Sequence, residues 1–424
     1  MTEALSPIEV GERLRIAREA AKVTQAAAAA ALEVARTTVV AIEQGQRRAK
    51  LDELQRLASL YGISVNALLR REAVQVDLKP RFRRMGEQDD GVEGAVALLT
   101  TLVQAELELE DLLGVRRPRN DPPERPLMPG DVVLQAEHDA AELRQWLGIG
   151  QAPVYDIVSL LELQLGVRVF VRRLPAKVSG LYAYDEAAGP CVLLNGAHPR
   201  ERRAQTGAHE LGHLVSTRRA PDALYDGSPE TSREERYANA FARAFLTPAR
   251  AVMAMFRDVT AGSSQLTRRH VIVLAHAFGV AREAMVRRLE ELSLTKVGTW
   301  DWFEHNGGIT NDQARQVLGE AWGADARQAD AARPVSLRLG MLAREAWRQN
   351  LLSEGQLAGL LQLDRVEIRE LIDAAFTGRS PDESLFTPAS QEQAKTCPEA
   401  CRSPEKCCNF GCQTASQEQC SGPL

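Results

Sequence analysis

Residues 206–215, which read TGAHELGHLV, have the types and spacing best suited to chemistry. His209 and His213 are four residues apart, so on a helix both imidazoles lie on one face and can reach a single metal ion. Glu210 points in the neighbouring direction, where it can take a proton from a water on the metal without binding the metal itself. The pattern predicts a hydrolytic centre with Zn²⁺ as cofactor, the two histidines as ligands and Glu210 as catalytic base.

A hydrolytic zinc centre needs a third protein ligand and one open position. We expect Glu235 to be that ligand, because it begins a predicted helix whose small residues, Ala238 and Ala242, let it pack closely on the histidine helix. Glu234 is the alternative, but it points about 100° away. The alternative to a metal site is a helix with two buried or surface histidines and an acid that is unrelated to them. The remaining histidines lack such spacing and are expected on the surface or in the core: His138, His198, His270, His276 and His305.

Residues 6–71 predict a set of short helices. Ser6-Pro7-Ile8-Glu9 is a capping box with proline at the first helical position, and Thr24 can cap a second helix. A third helix is predicted from about Arg36 to Glu43. Positive charge collects around this third helix on an otherwise acidic chain, which suits a polyanionic partner. The residues concerned are Arg36, Arg47, Arg48 and Lys50.

The remaining elements alternate along the chain. A long helix is predicted over 92–113, with an apolar stripe that either packs on its own chain, the favoured interpretation, or forms a dimer seam. A proline-rich, semi-rigid linker follows at 115–130. Helices are predicted at 136–147 and 154–165, a strand at 167–171 and a hairpin from 181–184 and 191–194. The exposed edge of the hairpin strands is expected to bind an extended substrate. Helices return over 200–292 and 335–376.

These elements predict an α+β, mostly α, fold. We expect a helix-turn-helix bundle at 6–72, a helical connector and proline-rich linker at 73–131, and a zincin-like helical domain with a small β-sheet at 132–295. A C-terminal helical domain is expected at 296–376 and a disordered tail at 377–424. Within the C-terminal domain, 353–358 and 364–369 have helix-turn-helix spacing, but the acidic second helix would repel phosphate, so it is interpreted as packing or partner-binding.

The tail contains six of the seven cysteines of the chain. Without an export signal, reduced thiols are expected, which would bind zinc or respond to oxidants, and a solvated extension without function is the alternative. The six are Cys397, Cys401, Cys407, Cys408, Cys412 and Cys420.

Composition limits the class of protein. The chain has 424 residues, of which 44% are hydrophobic and 26% charged, which is typical of globular domains and excludes disorder along the whole length. It has no apolar run long enough to span a membrane and no signal-peptide pattern at its start. The sequence therefore predicts a cytoplasmic protein that does not bind membranes.

Residues 8–70 resemble the Xre-type helix-turn-helix family. The resemblance rests on Leu14, Arg18, Thr24-Gln25, Ala29, Val34, Val39, Ile42-Glu43, Gly45, Leu57-Ala58 and Leu68. It implies a double-stranded DNA operator as partner, a recognition helix that begins near Arg36, and a buried structural pair between Arg18 and Glu43. The expected DNA contacts are Arg36, Thr37 and Thr38 on bases or phosphates, with Gln25, Gln46 and Arg48 on phosphates. Three positions depart from the family pattern: Glu33, Ala35 and Ala41.

Residues 136–292 resemble the ImmA/IrrE-type metallopeptidase domain. The matching residues are Val178-Ser179-Gly180-Leu181-Tyr182, Leu193-Leu194-Asn195, Arg202, the segment 208–213, and Glu235, Ala238-Asn239, Phe241-Ala242. The resemblance implies zinc on His209, His213 and Glu235, with Glu210 as base. Gln205 and Gly207 depart from the family, where apolar residues are usual. Members of this family are site-specific proteases that cut a partner repressor, often after stress.

Together the motifs predict a transcription regulator that carries a zinc-dependent endopeptidase domain and cleaves a repressor or itself. A homodimer is expected. In the alternative, proteolysis is lost and the zincin-like domain serves as a sensor or dimerisation module, as in short-chain acyl-responsive regulators of similar layout. A toxin–antitoxin partner is a third possibility.

Overall fold

The computed structural model describes residues 6–61, 63, 65–69, 76, 78, 90–225, 232–263, 265–319 and 335–373. The chain divides into two units, Met1–Arg369 and Glu370–Leu424, and of the second only residues 370–373 are described. The cysteine-rich tail predicted at 377–424, with its six cysteines, lies outside the described residues.

Five short helices form the N-terminal bundle. They are α1 Pro7–Ala20, α2 Gln25–Leu32, α3 Arg36–Glu43, α4 Leu51–Tyr61 and α5 Val65–Leu69. The capping box at Ser6 and the cap at Thr24 are both present, as predicted. Glu33 takes the left-handed conformation (φ 58°) that the usual turn glycine would adopt, and Ala35 makes no side-chain cap. The apolar faces of the helices close around a core centred on Leu14, Ile42 and Leu57.

The long helix α6, Asp90–Leu113, packs on its own chain, as favoured by the sequence. Val92, Val96, Leu99 and Val103 are buried. Residues 115–130 form neither helix nor strand, but polar contacts fix them along the body. For example, the Arg125 backbone N–H donates to the Val215 carbonyl, and Arg117 pairs with Glu106 of α6.

The central body combines a four-stranded sheet with flanking helices. It begins with α7 Val132–Trp146 and α8 Ile157–Ser159, which continues as a π-helical turn, Leu160–Gln164. The strands are β1 Arg168–Arg172, β2 Val178–Asp185, β3 Gly189–Asn195 and β4 Asp222–Tyr225, and the sheet order is β1-β3-β2-β4. β2 and β3 form the predicted antiparallel hairpin, whereas β1 runs parallel to β3.

The hairpin does not have the exposed edge that was predicted to bind substrate. β3 pairs with β1, and β2 pairs antiparallel with β4, so both outer edges of the hairpin are occupied. Pairing satisfies backbone groups that would otherwise be an unprotected edge. The expectation was wrong because β4, a four-residue strand, was not predicted.

The remaining regular elements of the described chain are helices. They are α9 Arg200–Ser216, α10 Arg233–Leu246, α11 Ala249–Val259, α12 Arg268–Phe278, α13 Arg282–Glu291, α14 Thr299–His305, α15 Asn311–Leu318, α16 Leu337–Arg348, α17 Glu354–Leu361 and α18 Arg365–Asp373. The main core lies between the sheet and helices α7, α9 and α10, where Tyr237, Phe241 and Phe245 stack on one another. A smaller core joins α12 and α13 to α14 and α15.

The α+β, mostly α, fold class is confirmed: a helix-turn-helix bundle precedes a helical domain with a small sheet, and further helices follow. Within the described residues, no single helix has the length and apolar character required to cross a bilayer. One pair, α2 with α3, passes that test jointly, but its two helices meet at a bend of 107°.

Candidate metal centre and helix-turn-helix surface

Helices α9 and α10 hold the predicted ligands and pack closely because small residues face each other. A β-carbon added at Gly212 would lie only 3.0 Å from Ala238 Cα. Gly207, which departs from the family pattern, faces Ile157, whose Cγ2 fills the space 3.1 Å from an added β-carbon. The small-residue face expected for α10 thus meets a glycine on the histidine helix.

The two predicted histidines converge. Their Nε2 atoms lie 3.1 Å apart, and both rings are buried. His209 Nδ1 lies 2.9 Å from Asn239 Oδ1, and His213 Nδ1 lies 3.1 Å from the Thr217 hydroxyl. An oxygen partner at each Nδ1 favours the tautomer that carries its proton on Nδ1, in which Nε2 is available to a metal ion.

Two carboxylates complete the cluster. Glu235 Oε1 lies 3.4 Å from His213 Nε2, and its Oε2 lies 3.5 Å from His209 Nε2. Asp222, the first residue of β4, places Oδ2 3.6 Å from His213 Nε2 and 3.8 Å from His209 Nε2. Ligand atoms of these four residues all lie within 4.8 Å of one another. Glu234, the alternative ligand, is exposed instead.

Glu210, the predicted catalytic base, is fully buried. Among the described residues, neither of its carboxylate oxygens has a hydrogen-bond partner. Burial first, then Asp222 and Glu235, raise the pKa of Glu210 well above its usual value. Gly180 of β2 makes room for it, because a β-carbon there would lie 2.9 Å from Glu210 Oε1.

The charges of the cluster perturb one another. Burial would lower the pKa of His213, but the negative charges of Asp222 and Glu235 outweigh it and raise that pKa. Burial would raise the pKa of Asp222, but His213 and His209 outweigh it and lower that pKa. The site therefore has an excess of negative charge that a divalent cation would neutralise.

The donor set fits zinc. Two imidazole nitrogens and carboxylate oxygens are ligands that zinc accepts, and the buried, unpartnered oxygens would otherwise be unfavourable. A second group of possible ligands, His138, Asp139 and Glu142, lies partly on the surface, and Asp139 already accepts a hydrogen bond from the Tyr237 hydroxyl at 2.9 Å. Donor chemistry and burial thus favour the cluster between α9, α10 and β4.

The predicted DNA contacts lie on and around α3. Arg36 and Thr37 are exposed at its first turn with Thr38 half-buried, and Gln46 and Arg48 are exposed just after it. Gln25 is engaged within the protein: its amide oxygen accepts from Arg36 Nη2 at 3.2 Å, and its Nε2 donates to Glu43 Oε2 at 2.9 Å. Glu43 also forms the expected buried pair with Arg18, with 2.6 Å between Nε and Oε1.

Asp222, Asn239 and Thr217 belong to the site but were not predicted from the sequence. Asn239 was part of the family resemblance but had no assigned role, although its place four residues after Glu235 puts it on the same face of α10. Thr217 likewise stands four residues after His213. Asp222 had no such signal, because pairing between β4 and β2 brings it to the cluster.

Comparisons with known proteins agree with this architecture. The family model described as a helix-turn-helix domain matches residues 9–71, and the one described as an IrrE N-terminal-like domain matches residues 163–290. No curated protein gives a significant match. The solved structure of ComR from Streptococcus suis aligns at 12% identity over 88% of this chain and 96% of its own, but the TM-score of 0.15 is too low to indicate a shared fold. The chain therefore joins a helix-turn-helix DNA-binding domain to an IrrE-like domain of the metallopeptidase type.

Proposed function

We propose that this protein is a transcription regulator whose IrrE-like domain is a zinc-dependent endopeptidase that cleaves a partner repressor or the regulator itself. The observation that carries the proposal is the convergence of His209, His213 and Glu235 beside the buried carboxylate of Glu210. The helix-turn-helix domain supplies the link to DNA, and the peptidase-type domain suggests a protein substrate.

Each side chain has a role that its surroundings support. The Nε2 atoms of His209 and His213, with Glu235, would hold the ion, and Asn239 and Thr217 keep the two rings oriented. When bound, zinc supplies Lewis acidity, which polarises a carbonyl group and acidifies a water molecule. Glu210, whose oxygens accept no hydrogen bond from the described residues, is free to receive a proton and pass it to the leaving amine.

Zinc affinity tests the ligand set. Glu235→Ala should bind zinc more weakly than the wild type, whereas Glu234→Ala, whose exposed carboxylate is the matched control, should not differ from it. Equal zinc affinity in all three proteins would remove Glu235 from the site.

Cleavage tests the reaction. Glu210→Gln keeps the shape of the side chain but cannot take a proton, so it should retain zinc and lose cleavage of a cognate repressor. Retained cleavage in this variant would show that Glu210 is not the base.

The DNA-binding proposal has its own test. The exposed side chain of Arg36 at the start of α3 supports a bidentate contact of its guanidinium with guanine. Arg36→Ala should lower sequence selectivity by about 1–3 kcal/mol of discrimination in competition binding against scrambled DNA. A variant that selects the same sequences as the wild type would contradict this role.

One observation favours the alternative of a non-proteolytic sensor or dimerisation module. Asp222 adds a fourth protein donor, and zinc sites with four protein ligands are typically structural. If zinc removal unfolds the domain and no partner protein is cleaved under any condition, this alternative holds.

A further inference from the structure

Asp222 is the fourth member of the cluster formed with His209, His213 and Glu235. The residue is only 8% exposed, and within the described chain its Oδ2 has no hydrogen-bond partner. A buried carboxylate oxygen without such a partner costs free energy unless a cation compensates it. Its distances to the two Nε2 atoms, 3.6 and 3.8 Å, match those of Glu235 closely enough for both acids to share one ion.

The strand that carries Asp222 also covers the sheet edge beside the cluster. β4 pairs antiparallel with β2, so that Asp222 lies opposite Tyr182 and Leu224 opposite Gly180. Both β2 residues border the site: the Tyr182 ring stacks on His213 at 6.4 Å between centroids, and Gly180 adjoins Glu210. An extended peptide that added to β2 would need the edge that β4 occupies.

We infer that β4 closes the metal centre from within. Asp222 supplies a fourth ligand at the position that a hydrolytic centre keeps open, and the backbone of residues 222–225 takes the edge of β2 that an extended peptide substrate would use. Substrate binding therefore requires β4 to leave, by exchange of one strand for another. This inference rests on the proposed metal centre and extends it to regulation.

Azide binding to the cobalt-substituted, full-length protein tests whether Asp222 is a fourth metal ligand. In the wild type, the visible absorption of cobalt should not change with added azide, because no position is open. In Asp222→Asn, which preserves the shape of the side chain, and in Asp222→Ala, azide should shift the spectrum. Glu234→Ala is the control with an exposed acid nearby and should behave as the wild type. An equal azide response in the wild type and the Asp222 variants overturns the inference.

Zinc affinity separates this inference from the proposed function. Removing a residue that only hydrogen-bonds to a metal ligand weakens metal binding about 10–100-fold. Loss of Asp222, a proposed ligand, should weaken zinc binding at least as much in chelator competition. If the wild type binds no zinc, the proposed function fails. If zinc binds through Glu235 but Asp222→Asn changes neither affinity nor azide access, only the role of β4 fails.

The strand itself is tested with Asp222 in place. Proline cannot donate to a sheet ladder, so Ala223→Pro should loosen β4 and give the cobalt protein an azide response. Ala223→Ser is the matched control and should give none. If Ala223→Pro stays closed while Asp222→Asn opens, the pairing of β4 with β2 does not control access.

Discussion

At the scale of single residues, the metal centre depends on partners that hold the rings as much as on the ligands themselves. His209 Nδ1 faces Asn239 Oδ1, which fixes the tautomer whose Nε2 is free. Asn239→Ala should therefore weaken zinc binding about 10–100-fold in chelator competition. Asn239→Asp keeps an acceptor oxygen and should remain close to the wild type. Unchanged affinity in Asn239→Ala would show that α9 alone orients the ring.

The single cysteine of the described chain gives a pH prediction. Burial raises the pKa of the Cys191 thiol to about 12. An unfolded cysteine ionises near pH 8.5, so above that pH the unfolded state binds fewer protons and stability falls until the native thiol also ionises. Cys191→Ala should reduce the pH slope of the unfolding free energy between about pH 9 and 12 by about 1.4 kcal/mol per pH unit.

Native Cys191 should also resist alkylation at pH 8, as mass spectrometry after iodoacetamide treatment would show. Rapid alkylation without denaturant would contradict its burial.

At the scale of elements, two mid-helix glycines allow a matched comparison. Nothing lies within 4 Å of a β-carbon added at Gly94 in α6, so Gly94→Ala should stabilise the helix by about 0.5–1 kcal/mol. A β-carbon at Gly212 would instead press on Ala238 Cα, so Gly212→Ala should cost about 1–3 kcal/mol and separate α9 from α10. Thermal unfolding and zinc affinity of the two variants measure both effects. Equal stabilisation by both substitutions would mean that the helix contact is not tight.

The sequence predicted elements where local patterns determine them. Capping at Ser6 and Thr24, the length of α3 and the hairpin of β2 with β3 follow from neighbouring residues, and so does the convergence of His209 and His213 on one helix face. Tertiary contacts determine the rest. β4 is four residues long and begins with aspartate, a poor strand former, so pairing with β2 defines it. Asp222 was missed for the same reason.

At the scale of the molecule, a buried network of charges joins parts that are distant in sequence. Three acids and three arginines from α6, the segment after it, the π-helical turn, β1 and α16 lie together: Glu106, Glu110, Glu162, Arg117, Arg168 and Arg338. The formal charges of the three acids and the three arginines sum to zero. In this network α6, which follows the helix-turn-helix domain in the chain, is bound to the sheet of the IrrE-like domain and to the C-terminal helices.

Glu110 is the member of this network whose loss is most informative. Its carboxylate binds Arg168 Nη2 and Arg338 Nη2, each at 2.8 Å, and these charges outweigh burial and lower its pKa. Removing one partner of a buried ion pair leaves an uncompensated charge, so Glu110→Gln should cost about 3–5 kcal/mol of unfolding free energy. Glu345→Gln, which breaks a surface pair with Arg348, is the control and should leave the thermal midpoint nearly unchanged. Because the pKa of Glu110 is lowered on folding, its contribution is present above about pH 4.3 and is lost as the pH falls through the folded value, so the variant should lose less stability on acidification. If the Glu110 and Glu345 variants unfold at the same temperature, solvent or neighbouring groups compensate the charge, and the network does not bind α6 to the sheet.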